Sequence, residues 1–134
     1  MTDPIALGED VSRWLRAQLQ RAGLAGTLAP IVVNPRTQGW IAGFLEAVSA
    51  ALGLDASARY SFEARVYVSF YEGSPMGEQL GLEALAMSRQ LRSMPGARGL
   101  LEQWEPHHAV GARAGAHYAG LHQAMDDLYA TLRP

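Results

Sequence analysis

Apolar residues recur at helical spacing along almost the whole chain and predict a succession of helices. In the first, Val11, Trp14 and Leu15 share a face, and in the second Trp40 and Phe44 do the same. The predicted helical segments are 8–24, 35–52, 56–72, 75–94, 97–104 and 106–132. The pattern therefore predicts an all-α fold, a single-domain bundle of five to six helices.

Proline and glycine mark where these helices start and stop. Three pairs combine an N-cap residue with a proline at the first helical position: Asp3-Pro4, Asn34-Pro35 and Ser74-Pro75. Glycines stand where predicted helices end, at Gly26, Gly53, Gly73 and Gly96. These local signals predict the helix boundaries independently of the apolar pattern.

Residues 60–71, Tyr-Ser-Phe-Glu-Ala-Arg-Val-Tyr-Val-Ser-Phe-Tyr, fit two interpretations. Their strict alternation and their aromatic and β-branched content are typical of a half-buried strand. The same residues give a helical stripe through Phe62, Val66 and Phe70, and Asp55 and Gly73 supply caps on either side. We predict a helix. The alternative is an α+β fold with a small sheet from residues 27–33 and 59–72.

The amino-acid composition indicates the class of protein and excludes several kinds of active site. A chain of 134 residues, 49% apolar and 18% charged, is typical of one globular domain, here residues 1–134. Cysteine and lysine are absent, which excludes thiol chemistry, cysteine metal sites, Schiff-base lysines and a P-loop. All 11 basic residues are arginine, as is typical of GC-rich, bacterial-type genomes.

The net charge and the hydropathy of the chain argue against nucleic-acid binding and against insertion into a membrane. The net charge of −2 lacks the basic excess of a nucleic-acid-binding domain. The apolar runs are too short to span a bilayer, and the N-terminal residues do not form a secretory signal. We therefore expect a cytoplasmic protein that binds neither nucleic acid nor membrane.

All four histidines lie in the last quarter of the chain, at positions 107, 108, 117 and 122. Glu105 and His108 match the Glu-x-x-His motif of di-iron bundles, but the sequence has no second copy of it. Pro106 is expected to start the last helix and to leave Glu105 outside it. We predict no metal site. Because no Gly-x-Ser-x-Gly or similar nucleophile motif occurs, we also predict no catalytic residues.

His117 stands out because it interrupts an apolar stripe. Val110, His117, Leu121 and Leu128 share one side of the last helix, so we predict that His117 lies on the buried face. It is either a core histidine hydrogen-bonded within the fold or part of a small-molecule pocket, with haem as the candidate cofactor. The pocket hypothesis uses His117, His122, Arg113, Tyr118 and Trp104.

Small residues at four-residue intervals predict close helix crossings. The last helix carries Gly111, Gly115 and Ala119, and the fourth carries Gly77 and Gly81. A mid-helix glycine costs about 0.5–1 kcal/mol relative to alanine, which close backbone approach can offset. We expect these stripes to meet each other, or to meet across a dimer.

Tyrosines are more numerous in residues 60–71 than one buried face requires, and tyrosine tolerates an interface. We therefore expect a small helical protein that acts by association, as a homodimer or as an adaptor, immunity or regulatory module. The predicted interface residues are Tyr60, Tyr67, Tyr71, Gly111 and Gly115.

Overall fold

The computed structural model describes residues 3–21, 35–72, 75–91 and 98–132. These residues form five α-helices and no strand, which confirms the all-α bundle. The helices are α1 (Pro4–Arg21), α2 (Pro35–Ala51), α3 (Ala56–Ser69), α4 (Gly77–Gln90) and α5 (Arg98–Leu132). Within these ranges no helix combines the length and the apolar character that a bilayer crossing needs.

Asp3, Gly53 and Asp55 are the predicted caps within the described residues, and each acts as expected. The other predicted caps, at positions 26, 34, 73, 74 and 96, lie outside those residues. The Asp3 carboxylate accepts from the backbone N–H of Ile5 at 3.0 Å, and α1 begins at Pro4. The Asp55 carboxylate accepts from the Ala58 N–H at 2.8 Å and starts α3. Gly53, at φ +66°, ends α2 with a Leu54 N–H to Ser49 carbonyl bond of 3.0 Å. α4 begins at Gly77, two residues after the predicted start at Pro75.

The ambiguous segment is a helix. Residues 56–69 form α3, and Phe62, Val66 and Tyr67 on its inner face are at most 1% exposed. Tertiary burial of this stripe and the Asp55 cap favour the helix over the strand that alternation allows. The sheet alternative is therefore not needed for residues 59–72, and its other part, 27–33, lies outside the described residues.

The last helix is longer than predicted. Segments 97–104 and 106–132 are parts of one 35-residue helix, α5, and Pro106 lies inside it. Proline removes one backbone hydrogen bond and normally breaks a helix. Here Trp104 and His108, before and after Pro106, both pack on α2, so the crossing holds the helix together through the proline. The prediction that Pro106 starts a helix was wrong.

The helices pack in two groups that share one core. α2 and α5 run side by side in the same direction, with Gly39 beside Trp104 near one end and Ala51 bonded to Gln123 at the other. α3 lies between α1 and α4. Large apolar side chains from α1 to α4 fill the space between the groups: Leu7, Val11, Leu15, Ile41, Phe44, Leu45, Val48, Phe62, Val66, Tyr67, Phe70 and Leu85.

Candidate functional site

Two sets of small residues meet where α2 crosses α5. A Cβ placed on Gly111 or Gly115 would overlap the backbone carbonyl of Trp40 or Phe44. A Cβ on Gly43 of α2 would overlap the carbonyl of His108 in the same way. Backbone atoms cannot move aside as side-chain ends can, so this crossing excludes larger residues on both helices.

The predicted close crossing is confirmed, but its partner differs from the expected one. α5 crosses α2, not α4, and α2 carries its own stripe of small residues at Gly39, Gly43 and Ala47. The glycines of α4 pack instead on α3 and the residues just after it: a Cβ on Gly81 would come within 2.5 Å of the Val68 Cα, and one on Gly77 would overlap the Tyr71 carbonyl. The Gly39-x3-Gly43 spacing was visible in the sequence and would have identified α2 as the partner.

An aromatic cluster joins α1 to this crossing. Trp14 stacks on Phe44 with ring centroids 5.1 Å apart, and Trp40 stacks on Phe44 at 5.3 Å. Tyr118 of α5 meets the Trp14 ring edge-on at 5.9 Å, and His122 stacks on Tyr118 at 6.2 Å. Burial, together with the negative charge of nearby Asp10, raises the pKa of the Tyr118 hydroxyl.

His117 does not lie on the buried face, and that prediction was wrong. It is exposed, as are Val110, Leu121 and Leu128 on the same stripe. The glycine face of α5 packs on α2 and turns the apolar stripe toward solvent. A glycine face allows closer backbone approach than a leucine face, so it decides which side of α5 faces its neighbour.

The five residues of the predicted ligand pocket lie along one continuous helix. Trp104 is 1% exposed and stacks on His108 at 4.6 Å, whereas Arg113 is exposed. Tyr118 and His122 touch each other, but Trp104 and His122 are about 27 Å apart along the helix at 1.5 Å per residue. These residues do not line one pocket. A haem or small-molecule role for His117 stays a prediction.

The five predicted interface residues do not share one surface either. Tyr60 is 47% exposed, whereas Tyr67 and Tyr71 are in the core at 1% and 9%. Gly111 and Gly115 are covered by α2 of the same chain. Of these five, Tyr60 alone lies on the surface of the monomer.

A chain of ion pairs and one histidine–carboxylate hydrogen bond connects α2, α3, α4 and α5. The Glu46 carboxylate bonds the His108 ring, and Arg59 approaches Glu46 at 3.8 Å. The buried Glu63 carboxylate accepts from the Arg59 Nε at 3.1 Å and from the Arg89 Nη2 at 2.5 Å. A buried carboxylate with two guanidinium donors is well satisfied, which is typical of a structural pair.

A cavity of about 390 Å³ lies among α1, α2, the end of α3 and α5. Its walls include the buried apolar side chains of Leu15, Ile41 and Phe70. Polar and cationic groups also line it, among them Arg36 and His107. Because these residues come from four separate segments, no local pattern in the sequence could have predicted the cavity.

The opposite side of α5 is uncovered. We define the open face of α5 as its exposed residues Val110, His117, Leu121, Ala124, Met125 and Leu128. Leu121 and Leu128 are 56% and 50% exposed, which is unusual for leucines repeated along one helix face. The open face is therefore the principal candidate for a binding surface.

Comparison with known proteins adds no assignment: no protein-family model, curated protein or solved structure matches the chain. Within the described ranges, no three side chains among histidine, aspartate and glutamate come together to hold a metal ion.

Proposed function

We propose that the protein functions as a homodimer that associates through the open face of α5. The observation that carries the proposal is the apolar stripe itself. Successive residues turn by about 100° on a helix, so Val110, Leu121 and Leu128 lie within about 20° of one another. All three are at least 44% exposed. Burying such a stripe against another helix is the ordinary way to remove it from water.

The apolar residues of the stripe have the heptad spacing of a coiled-coil interface. Val110, His117 and Ala124 are seven residues apart, and so are Leu121 and Leu128. These two series occupy the a and d positions of a heptad repeat, which in coiled coils face a partner helix. Five turns of α5 carry this pattern, and Ala124 allows the two helices to approach closely.

Charged residues beside the open face favour a second copy of this chain as the partner, in antiparallel orientation. In such a pair centred near Ala119, Leu121 packs against His117 of the second copy. Arg113 then lies beside Asp127 of the second copy, and the two-fold axis generates the same contact twice. A parallel pair would place His117 against its own counterpart and would leave both charges without this complement.

Gly120 supports the same arrangement. A Cβ added to it would meet nothing within 4 Å, unlike Gly111 and Gly115. Its helix-destabilising effect is therefore not offset by packing inside the monomer. In the antiparallel pair, Gly120 flanks the two-fold axis, where a side chain would hinder the close approach of the two backbones.

Charge reversal tests the arrangement directly. We expect sedimentation velocity to detect dimers of the unmodified chain. We expect Arg113→Glu or Asp127→Arg to raise the dimer dissociation constant about tenfold, because each creates two like-charge contacts. The double variant should restore association. An equimolar mixture of the two single variants should form heterodimers, because both contacts are then attractive.

A second pair of variants tests the role of the apolar stripe. Leu121→Glu should weaken association by at least about a hundredfold, because each protomer then buries a charge against apolar side chains. Met87→Glu is the matched control, since Met87 is 48% exposed and lies on a different helix, α4. A wild-type chain that stays monomeric, or charge reversals that never compensate each other, would refute the proposal.

A further inference from the structure

The cavity described above is a separate feature from the open face of α5. Its volume of about 390 Å³ lies within the range of small-molecule sites. Leu15, Ile41 and Phe70 in its wall are at most 4% exposed, so much of the wall is core rather than surface. Trp40 adds a flat aromatic face. This lining fits an apolar body the size of a small organic molecule.

The polar lining is cationic or neutral. Arg36 and Thr37, in the first turn of α2, line the cavity together with Gln18 and His107. None of the described lining residues is acidic, although the chain carries 13 acidic residues and a net charge of −2. The N-terminal end of α2 adds the positive end of its helix dipole. The electrostatic environment therefore favours an anionic group.

A hydrogen bond to its own helix fixes the His107 ring at the wall of the cavity. Its Nδ1 lies 3.0 Å from the Gln103 carbonyl oxygen, an arrangement in which Nδ1–H donates to the backbone. This bond orients the imidazole, and in this tautomer Nε2 carries a lone pair and accepts hydrogen bonds. Arg36, whose side chain is exposed, supplies a guanidinium, the group best suited to pair with a carboxylate.

From this combination we propose that the cavity binds a small monocarboxylate with an apolar tail or ring. Leu15, Trp40, Ile41 and Phe70 enclose the apolar part. Arg36 and the Thr37 hydroxyl hold the carboxylate at the first turn of α2. The proposal does not depend on dimerisation, because the open face of α5 contributes no lining residue.

Octanoate is a suitable probe, and octan-1-ol is its uncharged match. We expect calorimetric titration to give one saturable octanoate site per chain and at least tenfold weaker binding of octan-1-ol. Arg36→Gln should reduce the octanoate affinity to the level of the alcohol, because it removes the charge-assisted hydrogen bonds. Arg13→Gln is the matched control, since Arg13 is exposed on α1 and pairs with Asp10.

Two further variants complete the test. Thr37→Phe should abolish binding of both probes by filling the cavity, with circular dichroism used to check that it folds. Leu121→Glu should bind octanoate normally even where it disrupts the dimer, which separates this proposal from the preceding one. Equal affinity for octanoate and octan-1-ol, binding of neither, or unchanged octanoate affinity in Arg36→Gln would each overturn the assignment.

Discussion

The two faces of α5 differ in both composition and role. One face carries Gly111, Gly115 and Ala119 and is covered by α2 of the same chain. The other carries Leu121, Leu128 and neighbouring apolar residues and is open to solvent. Apolar periodicity alone predicts the opposite: that the face with Leu121 and Leu128 is buried. An apolar stripe thus indicates a surface to be buried, whereas a glycine stripe indicates which surface admits a neighbouring backbone.

The largest expected effect contrasts two glycines of the same helix. Gly115→Leu should lower the free energy of unfolding by about 3 kcal/mol, because its side chain would collide with the backbone of Phe44. Gly120→Ala should instead raise it by about 0.5–1 kcal/mol, because a Cβ there meets nothing within 4 Å. Urea denaturation, with dimer formation suppressed by dilution, measures both.

Dimer formation can be measured for the same two glycine variants. Gly120→Ala should weaken dimer formation while it stabilises the monomer, a combination that a purely structural role of Gly120 does not produce. Equal stability losses at positions 115 and 120 would contradict the assignment of one covered and one open face.

Two histidines on the two faces provide a second, smaller contrast. His108 bonds the Glu46 carboxylate and stacks on Trp104, so His108→Ala should lower the free energy of unfolding by about 1–2 kcal/mol. His117 is exposed, so His117→Leu should change the stability of the monomer by less than about 0.5 kcal/mol.

In the dimer, His117→Leu should strengthen association, because leucine would extend the apolar stripe. Thermal denaturation and sedimentation on the same samples separate the two effects. A large loss of monomer stability in His117→Leu would mean that the residue is not on an open face.

The smallest effect concerns alkaline pH at the edge of the covered face. Burial raises the pKa of the Tyr118 hydroxyl above its ordinary value of 10.0, so the folded state favours the neutral phenol. The resulting contribution to stability is complete below pH 10 and is lost as the pH rises above it. Tyr118→Phe should therefore flatten the fall in unfolding free energy between pH 9 and pH 11.

Tyr67 offers a matched comparison in the core. Burial raises the pKa of its hydroxyl too, and its side chain is only 1% exposed. Tyr67→Phe should flatten the same alkaline decline, as urea titrations at fixed pH values would reveal. A decline that neither variant changes would show that these phenols are ionised equally in the folded and unfolded chains.

Much of the fold could be predicted from the sequence because its signals are local. The Asp55 cap, the positive φ of Gly53 and the α3 stripe depend on residues within one or two turns of each other. The candidate sites could not be predicted in this way. Arg36 and His107 are 71 positions apart, and nothing near either residue indicates that they share a cavity.

Local sequence signals suffice to predict the all-α class, most of the helix starts and the presence of close helix crossings. Hydrogen-bond caps and the space needed by a Cβ decide these features locally. By contrast, three features follow from the packing of whole helices: α5 continues through Pro106, it crosses α2, and His117 faces solvent. Each of these depends on the summed packing of distant helices, which outweighs the local preference of any single residue.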